Sequence, residues 1–384
     1  MKKKAVFLLF MCLVNIITCT GCWNYREIDK MSIVAGATMD KTPDGKYKVV
    51  VEIIDLHEGG REAKINSRRL ESYGYSLFDA IRNTLKITSN KLYWGHMEIL
   101  ILSQEVAREG IVGILDFLNR DAEPRLSVDL LVSTENTAEE ILNSQSITTE
   151  IRSFEINKML DTEKDLAKTS KVQLYEFINA LSAEGISPVL PTVSLVENNG
   201  KQTTKLSGTA VFRQDKLAYV FNEEETEFFL FAIDKIKGGI LNIDEGIEKG
   251  QTVTTLEIRK NKTKIEPVNT KGKLSIDIDI DTKTVLAELS EANKTYDIKE
   301  NKNMETEAGK TLQKQVSEFI KGVQKNYGID ILGFGRRVRQ EMPDLWRKIG
   351  PEWDQTFKNL EVNVRAKVDI TNSGLISKPI KIGD

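Results

Sequence analysis

All three cysteines of this chain, Cys12, Cys19 and Cys22, lie at or before residue 22. Two of them sit inside a segment patterned like an export signal, so the exported body would keep one cysteine, at its first position. A body with a single cysteine forms no intramolecular disulfide and no thiolate metal site. Whatever it folds into is held by burial and backbone hydrogen bonding. The chain has the means: 384 residues allow two or three cores, and 40% apolar with 29% charged residues is the balance of a folded protein rather than a disordered one.

The N-terminus reads as an address. Lys2, Lys3 and Lys4 precede an apolar run from Ala5 to Ile17, broken only by Asn15. As a helix that run is ~20 Å long, too short for a hydrocarbon core of about 30 Å and suited to a signal segment. Thr20-Gly21-Cys22 follows and resembles the bacterial lipobox, with Cys19 where Leu is usual. The resemblance implies a signal peptide over residues 1–21, lipid on Cys22, and a tether over residues 22–30. Two acyl chains anchor a protein stably, and no later stretch reaches 18 consecutive apolar residues. The expected location is therefore the extracytoplasmic face of a membrane. Lys and Arg total 54 against 57 Asp and Glu; without the three signal lysines the body stands near −6. Such a body offers no concentrated basic face, so neither a nucleic-acid partner nor a polybasic membrane patch is expected.

Along the body, Ile33–Thr38 and Tyr47–Leu56 read as a hairpin around the turn Asp40–Gly45. The charged stretch His57–Glu71 reads as loop plus an extended segment. A helix begins at Ser76, capped together with Asp79. A buried strand covers Ile99–Leu102, a helix Gln104–Arg120, a strand Arg125–Ser133 and a short helix Thr137–Leu142. Val172–Leu181 is helical. Pro188–Val196 is a strand between prolines, expected at a sheet edge. Lys205–Phe212 and Leu217–Phe221 form a hairpin, and a helix runs from Asn222 to Lys237. Three extended segments follow, Gln251–Arg259, Lys262–Val268 and Lys273–Leu289. Then come a long helix Glu305–Tyr327, a helical stretch Ile329–Lys348 broken at Gly333, Gly335 and Pro343, a period-two strand Leu360–Ile370, and a tail Thr371–Asp384. The expected fold class is α+β, elongated and multi-domain, with three domains each built as a mixed β-sheet with flanking helices. Residues 31–75 with 164–204 make the N-terminal domain, 76–163 an inserted α/β domain, and 205–384 the C-terminal domain.

Catalytic groupings are sparse. His57 and His96 are the two histidines; neither has metal-ligand spacing, and both read as ordinary polar residues. Phosphate-binding glycine loops and a Gly-x-Ser-x-Gly elbow are missing from the sequence. Asp277, Asp279 and Asp281 alternate with isoleucines, which describes a strand with one wet face better than a calcium loop. Trp346 and Trp353 read as core anchors rather than a ligand cage, and Gly333-Phe334-Gly335 as a packed turn rather than a hinge. No cofactor and no metal are expected.

Several local patterns together resemble the Ger(x)C family, the lipoprotein C subunits of spore germinant receptors. Cys22-Trp23-Asn24-Tyr25-Arg26-Glu27-Ile28 is similar to its start, with Asn24 where Asp is usual. Trp94-Gly95-His96, the run Glu105 to Ile111 and the run Leu115 to Arg125 are similar to its middle. Gly208 to Phe212 and Asp330 to Gly335 are similar to its C-terminal half. The resemblance implies a three-domain α+β lipoprotein without enzymatic activity, on the outer face of the spore inner membrane beside two integral membrane subunits. Arg108, Asp116, Arg120, Glu123 and Arg125 would bracket a helix end as a salt-bridge network, or else form a partner surface; the structural role is the stronger. Trp23, Arg26 and Glu27 lie next to the lipid, where an interfacial Trp is favoured. The alternative is a solute-binding lipoprotein that delivers a nutrient to a transporter. It would need two similar α/β lobes around a cleft.

Overall fold

The computed structural model of the chain describes residues 3–7, 11, 31–57, 64–162, 166–243, 254–288 and 298–372. Two sheets organise it. The first contains β1 (Met31–Lys41), β2 (Tyr47–His57), β3 (Lys64–Gly74), β4 (Lys91–Tyr93), β5 (Ile99–Leu102), β6 (Asp129–Ser133), β7 (Val189–Asn198), β8 (Lys201–Arg213) and β9 (Lys216–Phe221). Its order is β3-β2-β1-β5-β6-β7-β8-β9, with β4 beside the start of β1. The pairs β1–β5, β5–β6 and β6–β7 are parallel, and the outer hairpins are antiparallel.

Sequence dictates this order. β5 and β6 are apolar on both faces, so both faces must be covered, and only the middle of a sheet offers that. Leu100, Leu102, Leu130 and Val132 point into one core. It is closed by α1 (Leu77–Asn83), α2 (Gln104–Glu109), α3 (Val112–Arg120) and α6 (Leu174–Ser182). Ile99, Ile101 and Leu131, at the alternate positions, enter a second core under α4 (Glu139–Asn143) and α5 (Arg152–Asp161). One sheet runs across the expected limits: β5 and β6 of the 76–163 segment lie between β1 and β7, and the sheet continues through β8, which contains residue 205, and β9.

Other expectations also change. The helix expected over Gln104–Arg120 is two helices, because Gly110 closes α2 at φ 120°. A side chain at Gly110 would meet the Asp215 carboxylate at 2.6 Å, and that carboxylate accepts the Val112 amide. β7 is not an edge strand, since β6 and β8 flank it. β6 pairs only with Thr192 and Val193, so the N–H that Pro191 lacks falls outside that ladder. Lys64–Gly74 forms a full edge strand, whose polar residues suit an edge.

Helix α5 escapes periodicity altogether because its buried face is partly polar: Arg152, Ser153 and Glu155 are all buried. Glu52, buried on β2, accepts the amides of Arg152 and Ser153 and the Ser153 hydroxyl. The guanidinium of Arg152, 1% exposed, pairs with Glu155, whose carboxylate also accepts the amides of Ile147 and Thr148. Asp40 does for α4 what Glu52 does for α5, accepting the amides of Ala138 and Glu139.

The second sheet has the order β10 (Gly239–Ile243), β11 (Thr254–Thr270), β12 (Lys273–Glu288) and β13 (Glu361–Asn372). The two segments expected over 251–268 join into the one strand β11, with a register irregularity between Ile258 and Lys260, and β10 was not foreseen. Ile276, Ile278 and Ile280 face the core with Val364 and Val368, beneath α8 (Ile298–Gly322). On the other face Arg365 bridges Asp277 and Asp279, so this acidic row is the wet side of a strand. α7 (Glu223–Ala232) starts with the capping box of Asn222 and Glu225 and ends short of Lys237. α9 (Phe334–Glu341), α10 (Pro343–Ile349) and α11 (Trp353–Lys358) complete the fold, which is α+β. The expected tail beyond Asn372 lies outside the described residues.

Removing one member of a buried charge cluster strands the other. Arg152→Met is expected to lower the unfolding free energy by about 3–5 kcal/mol, read by urea denaturation.

Candidate functional site

Cys22, Trp23, Arg26 and Glu27 lie outside the described residues. β1 begins at Met31 and runs parallel to β4 from its first residue, Met31 opposite Lys91.

Trp94-Gly95-His96 follows β4 directly, whereas the run Glu105–Ile111 packs at the other end of β1, where Lys41 pairs with Glu109 at 3.0 Å. Trp94 is buried, and a Cβ at Gly95 would stand 2.5 Å from the Tyr93 hydroxyl, so the tyrosine packs against this glycine. His96 is exposed, edge-on to Tyr93 at 5.8 Å. His57 ends β2 opposite Lys64. The five charged residues expected as one network do not connect. Arg108 donates to Gln104 within α2. Asp116 and Arg120 pair along α3 at 2.9 Å with both side chains exposed, and Glu123 takes Lys91 of β4 at 2.6 Å. Arg125 is exposed and has no side-chain partner among the described residues. Spacing explains the difference: an i,i+4 pair is satisfied on its own helix before it reaches a loop. Exposed pairs of this kind stabilise by about 0–1 kcal/mol, so they are surface and not scaffold.

What the same segment does build is a groove. Phe117, Asp121, Glu123 and Pro124 line it from one side, and Phe78, Ile81, Arg82 and Leu85 from the other. Phe78 and Phe117 lie 5.8 Å apart, and the Arg82 guanidinium sits 4.9 Å over Phe78. Phe78, Leu85 and Ile87 are 47%, 46% and 59% exposed, an apolar surface beside β4 and the start of β1.

The C-terminal motif works differently. Asp330 is buried, and its Oδ1 accepts the amides of Leu332, Gly333 and Phe334 at 3.1, 2.8 and 3.2 Å. Oδ2 accepts the Gly335 amide at 2.8 Å and the Trp353 indole N–H at 3.0 Å. The carboxylate thus holds the first turn of α9, where negative charge is favoured, and ties it to α11. The backbone around it docks onto the first unit: Ser187 donates to the Asp330 carbonyl and Arg336 to the Gly185 carbonyl, at 2.7 and 2.9 Å. A side chain on Gly335 would stand 2.6 Å from Trp353 Nε1 and 2.7 Å from Gly185 Cα. Glu184 accepts the Trp346 indole N–H and faces Arg339, and the Trp346 and Trp353 rings pack 5.3 Å apart. Tyr219 of β9 stacks on Tyr327, and Arg213 reaches the Tyr327 carbonyl and Asp354 across the same junction.

Among the described residues no group of His, Cys, Asp and Glu is placed to hold a metal ion, and no helix is long and apolar enough to cross a membrane.

Comparison with known proteins agrees with this arrangement of motifs. Residues 24–195 match the spore germination protein N-terminal domain, and residues 207–374 match the spore germination B3/GerAC-like C-terminal domain. The chain belongs to the Ger(x)C family of spore germination proteins. It is 26% identical to spore germination protein KC of Bacillus subtilis, over 99% of this chain and 98% of that one. It is 24% identical to spore germination protein B3 of the same organism, over 94% and 96%. The fold is that of the GerBC protein crystal structure, at TM-score 0.57 and 22% identity, covering 88% of this chain and 97% of that one.

Two outcomes test the junction. Gly335→Ala is expected to cost about 1–3 kcal/mol by urea denaturation, since the buried Trp353 ring and the Gly185 backbone stand in the way. The second concerns pH. Burial pushes Asp330, Asp40 and Asp129 up to about 6 from 3.8, against the hydrogen bonds that pull them down. The folded state then holds more protons than the unfolded one between roughly pH 4 and 6. Unfolding free energy is expected to rise as pH falls from 7 to 5, measured as the thermal midpoint.

Proposed function

We propose that this chain is a non-enzymatic lipoprotein subunit of a membrane germinant-receptor complex, required for nutrient-triggered spore germination. The observation that carries this is the match of both family domains in order along the chain, with relatives named spore germination proteins over nearly their whole length. The lipobox-like Thr20-Gly21-Cys22 supports attachment through lipid on Cys22. From Cys22 to the start of β1 the tether spans at most ~30 Å even when fully extended. The β4 side of the first sheet would then face the outer surface of the spore inner membrane, with Trp23 at the headgroups and Arg26 and Glu27 beside it. The groove of Phe78, Leu85 and Phe117, with Asp116, Arg120 and Arg125 on its flank, is the surface we assign to the two integral membrane subunits. Arg108 lies on α2, which meets the Lys41 end of β1, and is left out of this surface.

The solute-binding alternative needs two matching lobes. Here one sheet has nine strands and the other four, in unlike order, which favours the receptor assignment. The test is nutrient-triggered loss of optical density in spores lacking the gene, beside calcium dipicolinate as a receptor-independent trigger. Loss of response to one nutrient class with the bypass intact is expected, restored by the wild-type gene and not by Cys22→Ala. Restoration by Cys22→Ala, with that protein still in the membrane fraction, would contradict lipid attachment.

A further inference from the structure

Between α1 and β4 the chain makes one 3₁₀ turn, Thr84–Lys86. Thr84 is buried. Its hydroxyl donates to the Ile81 carbonyl at 2.6 Å, and its own carbonyl accepts the amides of Ile87 and Thr88 at 3.0 and 3.1 Å. The turn is closed on its own backbone, and its side chains are left outside. Leu85 and Ile87 are about half exposed, and Lys86 between them is exposed. A single exposed aliphatic side chain is ordinary. Two that flank a lysine on a closed turn, continuous with exposed Phe78, make an apolar tip.

Topology places this tip. β1 and β4 are parallel, with Met31 opposite Lys91, so both strands are entered from the same end of the sheet. The turn comes just before β4, and residues 22–30 come just before β1. Ile87 is four residues from Lys91, at most ~14 Å of chain. With lipid on Cys22, the start of β1 stands within ~30 Å of the bilayer. The tip therefore belongs to the end of the body that the lipid holds nearest the membrane.

A lysine between two aliphatic side chains suits a lipid surface. The aliphatic ends enter the boundary between headgroups and acyl chains, about 5–10 Å deep, and the lysine stem lies along apolar surface with its ammonium among the headgroups. Arg82, four residues before Lys86 and 4.9 Å over the Phe78 ring, is a second cation of the same kind.

We infer that the Leu85–Ile87 turn enters the membrane surface as a second, shallow contact of this protein with lipid. The inference rests on lipid at Cys22 and goes beyond it. A lipid on a short tether holds the body near the bilayer and leaves it free to swivel; a second contact fixes its orientation. The groove of Phe78 and Phe117, which adjoins the turn through Leu85, then stands at the height of membrane-embedded partners.

A fluorescent label tests it. Cys22 is the one cysteine of the exported body and would be lipidated, so Ile87→Cys supplies a single labelling site. Asp44→Cys is the comparison, on the exposed turn at the other end of β1; the 11 residues of that strand separate the two ends by ~36 Å. Each full-length lipidated protein is floated with vesicles of phosphatidylglycerol and phosphatidylethanolamine, and the floated protein is measured. A spin label on the upper acyl chain is expected to quench position 87, and position 44 about tenfold less. Iodide in the water should act in the reverse order. Leu85→Asp, at a half-exposed site, should move position 87 into water with the circular dichroism spectrum unchanged. Protein that floats with position 87 open to iodide and untouched by the lipid-borne quencher overturns this inference alone, as does quenching that Leu85→Asp leaves as it was. Protein that does not float overturns the lipid on Cys22 and the inference with it.

Discussion

One buried carboxylate, Asp330, does more to define this molecule than any other single group. It gathers four successive amide donors and an indole N–H on two oxygens, and so shapes the turn that begins α9. That turn presents the Asp330 carbonyl and the Arg336 amide to the Ser187–Gly185 loop of the first unit. Gly335 and Gly185 approach so closely that neither tolerates a side chain. Two sheets that share no strand are thereby held at a backbone-to-backbone contact, with the Trp346–Trp353 and Tyr219–Tyr327 pairs packed around it. The exposed ion pairs of α3 contribute little by comparison, since water competes for both partners.

The family's motifs thus divide by physical task. Gly110, Gly208 and Gly335 stand where a neighbour leaves no room for a side chain. Asp330 supplies hydrogen bonds to a turn that would otherwise bury unpaired amides. The charged positions Asp116 and Arg120 remain in solvent, on the helix that carries Phe117 into an apolar groove.

Much of this was legible from the sequence. Period-two patterning locates β12 and helical patterning the long α8, solid apolar runs locate β1, β2 and β5, and the cap at Asn222 locates α7. The row Asp277, Asp279 and Asp281 is the wet face of a strand, and Gly333-Phe334-Gly335 is a packed turn, as the residues indicate. What was missed was missed for definable reasons. Helix α5 buries Arg152 and Glu155 against each other and Ser153 against Glu52, so no apolar stripe marks it. The break at Gly110 depends on Asp215, far along the chain. The single nine-stranded sheet depends on parallel pairing across long connections, which local patterns do not encode. The docking role of Asp330 needs Gly185 and Trp353, neither of which is its neighbour in sequence.

The central claim is that the Asp330 turn locks the two units into one cooperative body. Native-state hydrogen exchange measures this directly at the amides of Gly333, Phe334, Gly335 and Arg336. The account predicts that these four exchange only through global unfolding, with protection equal to that of the central strands β5 and β12. Exchange of these amides at a much lower opening free energy, while both sheets stay protected, would contradict it and leave two units joined by a loose contact.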